Sequence, residues 1–121
     1  MACTVPSRWD VGGKLNLEPA LKLGDELGYD SVSFTEHHFH IEGFELSNNP
    51  VLLDLYFAMQ TKRIRVGQLG IVLPSQNPLR VAEDWAVVDR LSGGRVGVSF
   101  AAGWQPQDFA LAPQAFAERK R

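Results

Sequence analysis

The sequence predicts an α/β fold in which helices connect the strands of a parallel sheet. Three observations lead to this prediction. Three short apolar stretches alternate with helical patterns, a helix separates each predicted strand from the next, and two helices begin at the same Asn-Pro pair. A strand–helix–strand crossover makes its two strands parallel and places the helices outside the sheet, in either a doubly wound sheet or part of a (β/α)8 barrel.

The first part of the chain predicts one helix and one strand. Met1–Lys14 has no clear period, so we expect irregular structure there. Leucines and an alanine at helical spacing predict a helix over Leu17–Leu27, with Asn16 as its N-cap and Gly28 as a left-handed end. Alternation of apolar and small polar residues then predicts a short strand over Ser31–Thr35.

The middle of the chain predicts a second helix followed by a longer strand. An asparagine N-cap with proline in the first turn is a strong helix start, so Asn49-Pro50 predicts a helix from Val51 to about Thr61. We expect this helix to bury Leu52, Leu53, Tyr56 and Phe57 or their neighbours. The apolar run Ile64–Leu73 contains two glycines and is typical of a buried parallel strand that another group approaches closely.

The last third repeats the same order. Asn77-Pro78 begins a third helix, which Ser92-Gly93-Gly94 ends. Its core-facing residues recur at helical spacing: Val81, Ala82, Trp85 and Val88. Arg95–Phe100 is the third predicted strand, with Arg95 expected to pair with a surface carboxylate, and Phe116–Arg121 has the pattern of another helix start.

Composition excludes several function classes. The 121 residues carry 12 Lys and Arg against 14 Asp and Glu, a net charge of −2. Nucleic acids and anionic membranes select basic surfaces, so neither is the expected partner. The sequence contains no apolar stretch of membrane-spanning length and no signal-peptide pattern. The single cysteine, Cys3, indicates a reducing compartment, the cytoplasm.

The junctions after the strands favour a barrel over an open sheet. Neither strand-to-helix junction has the Gly-x-Gly-x-x-Gly turn of dinucleotide-binding sheets. Polar residues follow the predicted strands instead, at Glu36–His38, Ser75–Asn77 and Trp104–Asp108, which is where barrels build their active sites. A complete barrel needs about 250 residues. We therefore predict a partial barrel of about three strands whose open edges favour self-association.

All three histidines lie within Glu36–His40. Neighbouring side chains of an extended segment point in opposite directions, so we expect one of His37 and His38 to face the barrel mouth and the other to pack beneath it. A histidine there can act as acid, base or hydrogen-bond donor near neutral pH. The alternative, that these side chains only hold a loop in place, stays open.

Two further patterns admit more than one interpretation. His38-x-His40 is also typical of metal-dependent barrel hydrolases, although zinc needs three or four ligands and the chain outside Glu36–His40 contains no histidine. Trp104 and Phe109 flank the turn after the last strand, where they form either an aromatic pocket or ordinary core.

Several motifs, in the same order along the chain, resemble the luciferase-like flavin monooxygenases. They are Glu36–Phe39, Asn49–Leu53, Arg63–Gly67 with Leu73-Pro74, Asn77–Asp84 and Asp89–Arg95. The resemblance covers about Leu17–Arg121 and is greatest to the subgroup that acts in natural-product biosynthesis, often within peptide-synthetase or polyketide-synthase assemblies. It implies a (β/α)8 barrel that binds reduced FMN, receives it from a separate flavin reductase, and uses O2 to insert one oxygen atom into a small-molecule substrate.

The resemblance also implies site residues. His37 matches the histidine that acts near the flavin, within the motif Glu36-His37-His38, which we take as the catalytic group. Leu69 and Gly70 match strand positions behind the isoalloxazine ring, Ala101 and Ala102 match flavin-lining positions, and Asp108 matches an acidic residue of the following loop. Two features depart from the family: Ala102 stands where the subgroup often has serine, and Met1–Lys14 does not have the pattern of the family's first strand. Shortened flavin-binding proteins without activity also occur in the family, so a non-catalytic flavin-binding or interaction module is the alternative function.

Overall fold

The chain forms a four-stranded parallel sheet with helices between successive strands. The structure is a computed structural model that describes residues 2–4, 17–39 and 48–120, the first of these ranges as backbone only. The strands lie in the order β1-β2-β3-β4, every neighbouring pair is parallel, and the predicted α/β class with crossover helices is confirmed. In chain order the elements are β1 (Ala2–Thr4), α1 (Glu18–Leu27), β2 (Ser31–Phe34), α2 (Pro50–Gln60), β3 (Arg65–Val72), a 3-10 turn (Leu73–Ser75), α3 (Pro78–Ser92), β4 (Val96–Ala101), a second 3-10 turn (Pro106–Phe109) and α4 (Ala115–Glu118).

The expectation of irregular structure at the N-terminus was wrong for Ala2–Thr4. These three residues form β1, which pairs with β2 in the register Ala2↔Ser31, so the sheet has one strand more than the three predicted. Three residues are too few to show an alternating pattern, and the hydrogen bonds of β2 define this strand instead. Asn16, the predicted N-cap of α1, lies outside the described residues, and the helix begins one residue later than predicted, at Glu18 with Leu17 as its N-cap.

The predicted helix ends are confirmed where the structure describes them. The Asn49 side chain accepts a hydrogen bond from the N–H of Leu52, and Asn77 accepts from Leu79 and Arg80. These bonds satisfy N–H groups that have no partner inside the helix. Gly28 and Gly93 end α1 and α3 with φ values of 90° and 73°, a backbone conformation that favours glycine.

The core lies between the sheet and the helices in two adjoining clusters. The first contains Val32, Phe34 and Val66 of the sheet with Leu21 and Phe57 of the helices. Phe34 and Phe57 stack with their ring centroids 5.3 Å apart. The second cluster is formed by Ile71, Val81, Trp85 and Val88.

Three residues expected in the core are exposed. Leu52 and Tyr56 are 62 % and 42 % exposed, and Ala82 is exposed on α3. The reason on α2 is a rotation of the buried face, which consists of Asp54, Phe57 and Ala58. Because α2 is apolar on most of its surface, its sequence does not identify the face that meets the sheet.

None of the helices in the described residues is long and apolar enough to cross a membrane.

Among the described residues Arg95 bonds backbone carbonyl oxygens and no surface carboxylate, so the predicted ion pair was wrong. Its guanidinium donates to the carbonyl oxygens of Ala58, Thr61 and Ile64, at 2.7, 3.2 and 2.8 Å, and also to Ser92. The carbonyls at the end of a helix have no partner within it, and the planar guanidinium bonds several of them at once. Arg95 therefore joins the end of α2 to the start of β4.

Replacing Arg95 with alanine is expected to destabilise the fold by about 3 kcal/mol, because several partly buried carbonyls lose their donor. Arg95→Lys should restore only part of this loss, since an ammonium group cannot reproduce the planar fork. Urea unfolding measures the change, with Arg90→Ala as the control because Arg90 is exposed on α3. An Arg95→Ala variant as stable as the Arg90→Ala variant would contradict the assignment.

Candidate active site at the carboxyl ends of the strands

Glu36 is buried just beyond β2 and joins three segments of the chain. Val32 and Phe34 pack in the core on the helix side of the sheet, and alternation places Glu36 on the same side. Its carboxylate is only 4 % exposed and accepts hydrogen bonds from four groups. These are His38 Nε2 at 2.9 Å, Gln68 Nε2 at 2.6 Å, the Val72 N–H at 3.0 Å and Gln76 Nε2.

The Glu36 carboxylate and the His38 ring set each other's ionisation. Burial by itself would raise the pKa of Glu36, but the hydrogen bonds from His38, Val72 and Gln68 outweigh it and hold this pKa below its usual value. The same hydrogen bond to Glu36 raises the pKa of His38, against the opposing effect of burial. The pair therefore favours an ionised carboxylate and a histidine that keeps its proton to higher pH.

Asp108 contacts the segment that contains His37 and His38. It lies in the second 3-10 turn, 70 residues further along the chain, and is 4 % exposed. One carboxylate oxygen accepts the backbone N–H of His38 at 2.9 Å, and the other lies 3.7 Å from His37 Nδ1. Asp108 therefore contacts the backbone of His38 and lies next to the His37 ring.

A bulge in β3 gives the interior face an open backbone surface. Gln68 pairs with Val98 and Ile71 with Phe100, so Leu69 and Gly70 together oppose the single residue Ser99. The Gly70 N–H donates to Ser99 Oγ at 2.8 Å. Gly70 has φ 89°, and a Cβ built on it would lie 3.3 Å from the Cβ of Ala101. Leu69 is 52 % exposed beside it.

The predicted site residues fall into two groups. Glu36, His37, His38 and Asp108 are brought together by direct contacts, while Leu69, Gly70 and Ala101 form the bulge and its neighbouring strand. Ala102 is exposed just after β4, and no described contact joins it to either group.

Trp104 is 71 % exposed whereas Phe109 is fully buried against Phe116, so these two aromatic residues do not share one environment.

Gln68 and Gln76 lie in segments that the sequence analysis placed near a site, but their role as partners of Glu36 was not predicted. Both side chains donate to Glu36, and with His38 and Asp108 they line a polar cavity of about 320 Å³. The available signal was a polar side chain inside an otherwise apolar strand, at Gln68, since buried polar groups need partners. Gln76 had the signal of its place after a predicted strand, but nothing near it in sequence indicated Glu36, 40 residues away, as its partner.

The bulge offers a flat surface, and the described residues do not include a set of metal ligands. No group of three His, Cys, Asp or Glu side chains in the described ranges is arranged to hold a metal, and His40 lies outside those ranges. The bulge offers the exposed Leu69 side chain, the half-buried backbone of Gly70 and the small Ala101 side chain, a surface against which a flat aromatic ring can pack.

Comparison with known proteins identifies similar sequences and structures. The profile of the family described as "Luciferase-like monooxygenase" matches residues 16–121. The alkanal monooxygenase alpha chain of Photorhabdus laumondii is 36 % identical over 90 residues, which are 74 % of this chain and 24 % of that protein.

Solved structures of monooxygenases are also similar to this chain. Monooxygenase RslO1 from Streptomyces bottropensis superposes with a TM-score of 0.74 at 30 % identity, over 84 % of this chain and 32 % of that one. The oxygenating constituent of 3,6-diketocamphane monooxygenase from a Pseudomonas putida plasmid, solved in complex with FMN, has a TM-score of 0.69 at 31 % identity, over 74 % and 24 %. The chain thus spans about a quarter to a third of the length of these relatives.

Proposed function

Because the chain belongs to the luciferase-like monooxygenase family, we propose that it carries the flavin-ring side of an FMN-dependent monooxygenase site. The proposed reaction uses reduced FMN and O2 to insert one oxygen atom into a small organic substrate. The observation that carries the proposal is the Leu69–Gly70 bulge, whose open backbone lies on the strand next to the segment with His37. The FMN found in the related diketocamphane monooxygenase supports the choice of cofactor.

Each proposed site residue has a separate role. Bound FMN, once reduced, supplies the electrons for oxygen activation. Leu69, Gly70 and Ala101 provide the surface that binds and orients the ring and excludes water from that side. With His37 Nδ1 towards Asp108, Nε2 is the nitrogen that exchanges a proton with the bound substrate.

Glu36, His38 and Asp108 act as positioning residues in this proposal. Both Glu36 oxygens already accept hydrogen bonds from protein groups, so this carboxylate orients its neighbours rather than abstracting a proton. The bond from the His38 N–H to Asp108 fixes the backbone next to His37. A histidine held by a second group keeps one orientation and one tautomer, which general acid–base catalysis requires.

The biological setting is also a proposal. The motif resemblance supports a role in natural-product biosynthesis, with a flavin reductase as electron donor and synthetase or synthase modules as neighbours. A single cysteine supports the reducing environment of the cytoplasm as the location.

Titration of FMN with the 121-residue chain, followed by flavin fluorescence, tests the proposal. We expect saturable quenching of the flavin fluorescence. Gly70→Ala should weaken FMN binding about tenfold or more, because its methyl group covers the bulge, and a tenfold loss corresponds to about 1.4 kcal/mol of binding free energy. Gly94→Ala is the matched control: its φ of 81° gives similar backbone strain, but a Cβ there meets no atom within 4 Å. Equal effects of the two variants, or no quenching by the folded chain, would contradict the proposed ring site.

Oxygen consumption separates the proposed enzyme from the alternatives. Substrate-dependent consumption that His37→Ala abolishes supports a monooxygenase. FMN binding without oxygen consumption supports the non-catalytic flavin-binding module. A stoichiometric metal found by elemental analysis would instead support the barrel hydrolase.

A further inference from the structure

The bulge in β3 places Leu69 and Gly70 together on one face of the sheet. Val66 and Ile71 both lie in the core on the helix side, although an odd number of positions separates them and side chains of a regular strand alternate. The bulge explains this spacing, because Leu69 and Gly70 share the position opposite Ser99. The two residues of the bulge therefore lie on the face of the sheet opposite to α2 and α3.

Ser99 points to that same face from β4. Its neighbours Val98 and Phe100 line an apolar groove together with residues of α3, so both lie on the helix side of the sheet. Because successive side chains of a strand point to opposite faces, the Ser99 hydroxyl lies on the face of the bulge. The Gly70 N–H donates to Ser99 Oγ at 2.8 Å, which holds this side chain directly beside the bulge.

The Ser99 hydroxyl has a proton that the described part of the chain does not use. A serine hydroxyl has one proton to donate as well as lone pairs that accept, and in the bond with Gly70 its oxygen is the acceptor. Ser99 is exposed, and its hydroxyl donates to none of the described residues. This proton is therefore available to a group that lies on the face of the bulge.

We propose that the Ser99 hydroxyl donates a hydrogen bond to an acceptor atom on the edge of the planar ring that packs against the Leu69–Gly70 bulge. Since this inference rests on the proposed function, the ring is the isoalloxazine of FMN. Its pyrimidine half carries nitrogen and carbonyl acceptors, whereas its dimethylbenzene end has none. A single placed polar group orients a ligand on an apolar surface. Ser99 thus selects a heteroaromatic ring and turns its acceptor edge towards β4.

Titration of the 121-residue chain with FMN and with lumiflavin, followed by flavin fluorescence, tests whether Ser99 contacts the ring. Lumiflavin has the same ring without the ribityl phosphate. Ser99→Ala should weaken the binding of both ligands about three- to tenfold, the net contribution of one hydrogen bond. Ser99→Thr keeps the hydroxyl and should retain the parent affinity. A loss of affinity for FMN but not for lumiflavin would overturn the proposal, because the hydroxyl would then contact the ribityl phosphate.

Ser33→Ala is the matched control for this titration. Ser33 lies on β2 between the buried Val32 and Phe34 and is the register partner of Gly67, so it shares the face of Ser99 but not the bulge. We expect Ser33→Ala to bind both ligands with the parent affinity. Equal losses in Ser33→Ala and Ser99→Ala would overturn the proposal, since the effect would not depend on the position beside the bulge.

Chemical shifts of the bound ring separate a hydrogen bond from a change in the shape of the bulge. FMN enriched in nitrogen-15 and carbon-13 reports its ring nitrogens and carbonyl carbons individually by NMR. We expect Ser99→Ala to shift the resonance of one acceptor group, and Ser99→Thr to restore it. Weaker binding by Ser99→Ala with unchanged ring resonances would overturn the proposal, because Ser99 would then act only through its bond with Gly70.

Failure of the Ser99 hydrogen bond and failure of the flavin site give different results. If the parent chain binds FMN and Ser99→Ala leaves both the affinity and the ring resonances unchanged, only the Ser99 hydrogen bond is contradicted. If the folded parent chain binds neither FMN nor lumiflavin, the proposed function is contradicted and the Ser99 hydrogen bond with it.

Discussion

Gly67→Ala is expected to destabilise the chain by about 3 kcal/mol or more, the upper range for overpacking in a tightly packed interior. A Cβ built on Gly67 would lie 1.6 Å from the carbonyl oxygen of Gly97 on β4. The obstacle is backbone, so no side-chain rotation relieves it, and β3 and β4 must separate. For a domain of this size the melting temperature should fall by roughly 10 °C or more.

The matched control for this prediction lies directly across the strand pair. Gly67 and Gly97 are register partners, yet a Cβ on Gly97 meets no atom within 4 Å. Gly97→Ala should therefore change the stability of the chain little, within about 0.5 kcal/mol. Thermal melts followed by circular dichroism compare the two variants, and equal melting temperatures would show that the strands are not as close as described.

Asp54→Asn is expected to stabilise the chain at neutral pH, with a gain that depends on pH. Asp54 lies in the middle of α2, is fully buried, and neither carboxylate oxygen has a hydrogen-bond partner among the described residues. Burial raises its pKa to about 8, and the facing Gly67 N–H offsets only part of this effect. The folded chain therefore holds Asp54 as the neutral acid at pH 7, whereas the unfolded chain ionises it.

The sign of the pH dependence follows from proton binding. Between about pH 4 and pH 8 the folded state binds one more proton at Asp54 than the unfolded state, so stability falls as pH rises, by about 1.4 kcal/mol per unit. Below pH 4 this contribution is fully present, and above pH 8 it is lost. Asn has nearly the same shape and does not titrate, so the variant should gain roughly 4 kcal/mol at pH 7 and almost nothing at pH 4.

Urea unfolding at several pH values measures this difference. Plotted against pH, the unfolding free energies of the parent and of Asp54→Asn should converge towards pH 4 and separate steadily up to about pH 8. Other titrating groups, including His38, contribute equally to both chains and cancel in the comparison. If the two unfolding free energies differed by a constant amount between pH 4 and pH 8, Asp54 would be ionised in the folded chain.

Local sequence signals determined the order and most ends of the elements. Asn49 and Asn77 bond the first N–H groups of their own helices, and Gly28 and Gly93 end helices with a backbone conformation that glycine adopts at little cost. Crossover helices between strands then determine that the sheet is parallel. All these features depend on residues within a few positions of each other, so the sequence is sufficient to predict them.

The candidate site depends on partners that are distant in sequence. The motif at Glu36–His38 was visible, but its geometry required Gln68, Gln76 and Asp108, which lie 32 to 70 residues away from their partners. Composition and spacing do not indicate which distant amide or carboxylate will meet a given carboxylate or N–H. The polar network therefore becomes defined only once the strands are in register.

Arg95 and Asp54 show the same division between what the sequence and what the tertiary structure determine. A sequence containing Arg95 near several carboxylates suggests an ion pair, yet packing of α2 against the sheet left carbonyl oxygens that a guanidinium bonds more completely. Asp54 is buried because the face of α2 that meets β3 is chosen by the fit of Phe57 and Ala58. The sequence determined which segments become helices and strands, since those preferences are local. The tertiary structure decided which side chains are buried, paired or exposed, because burial depends on every segment that packs against them.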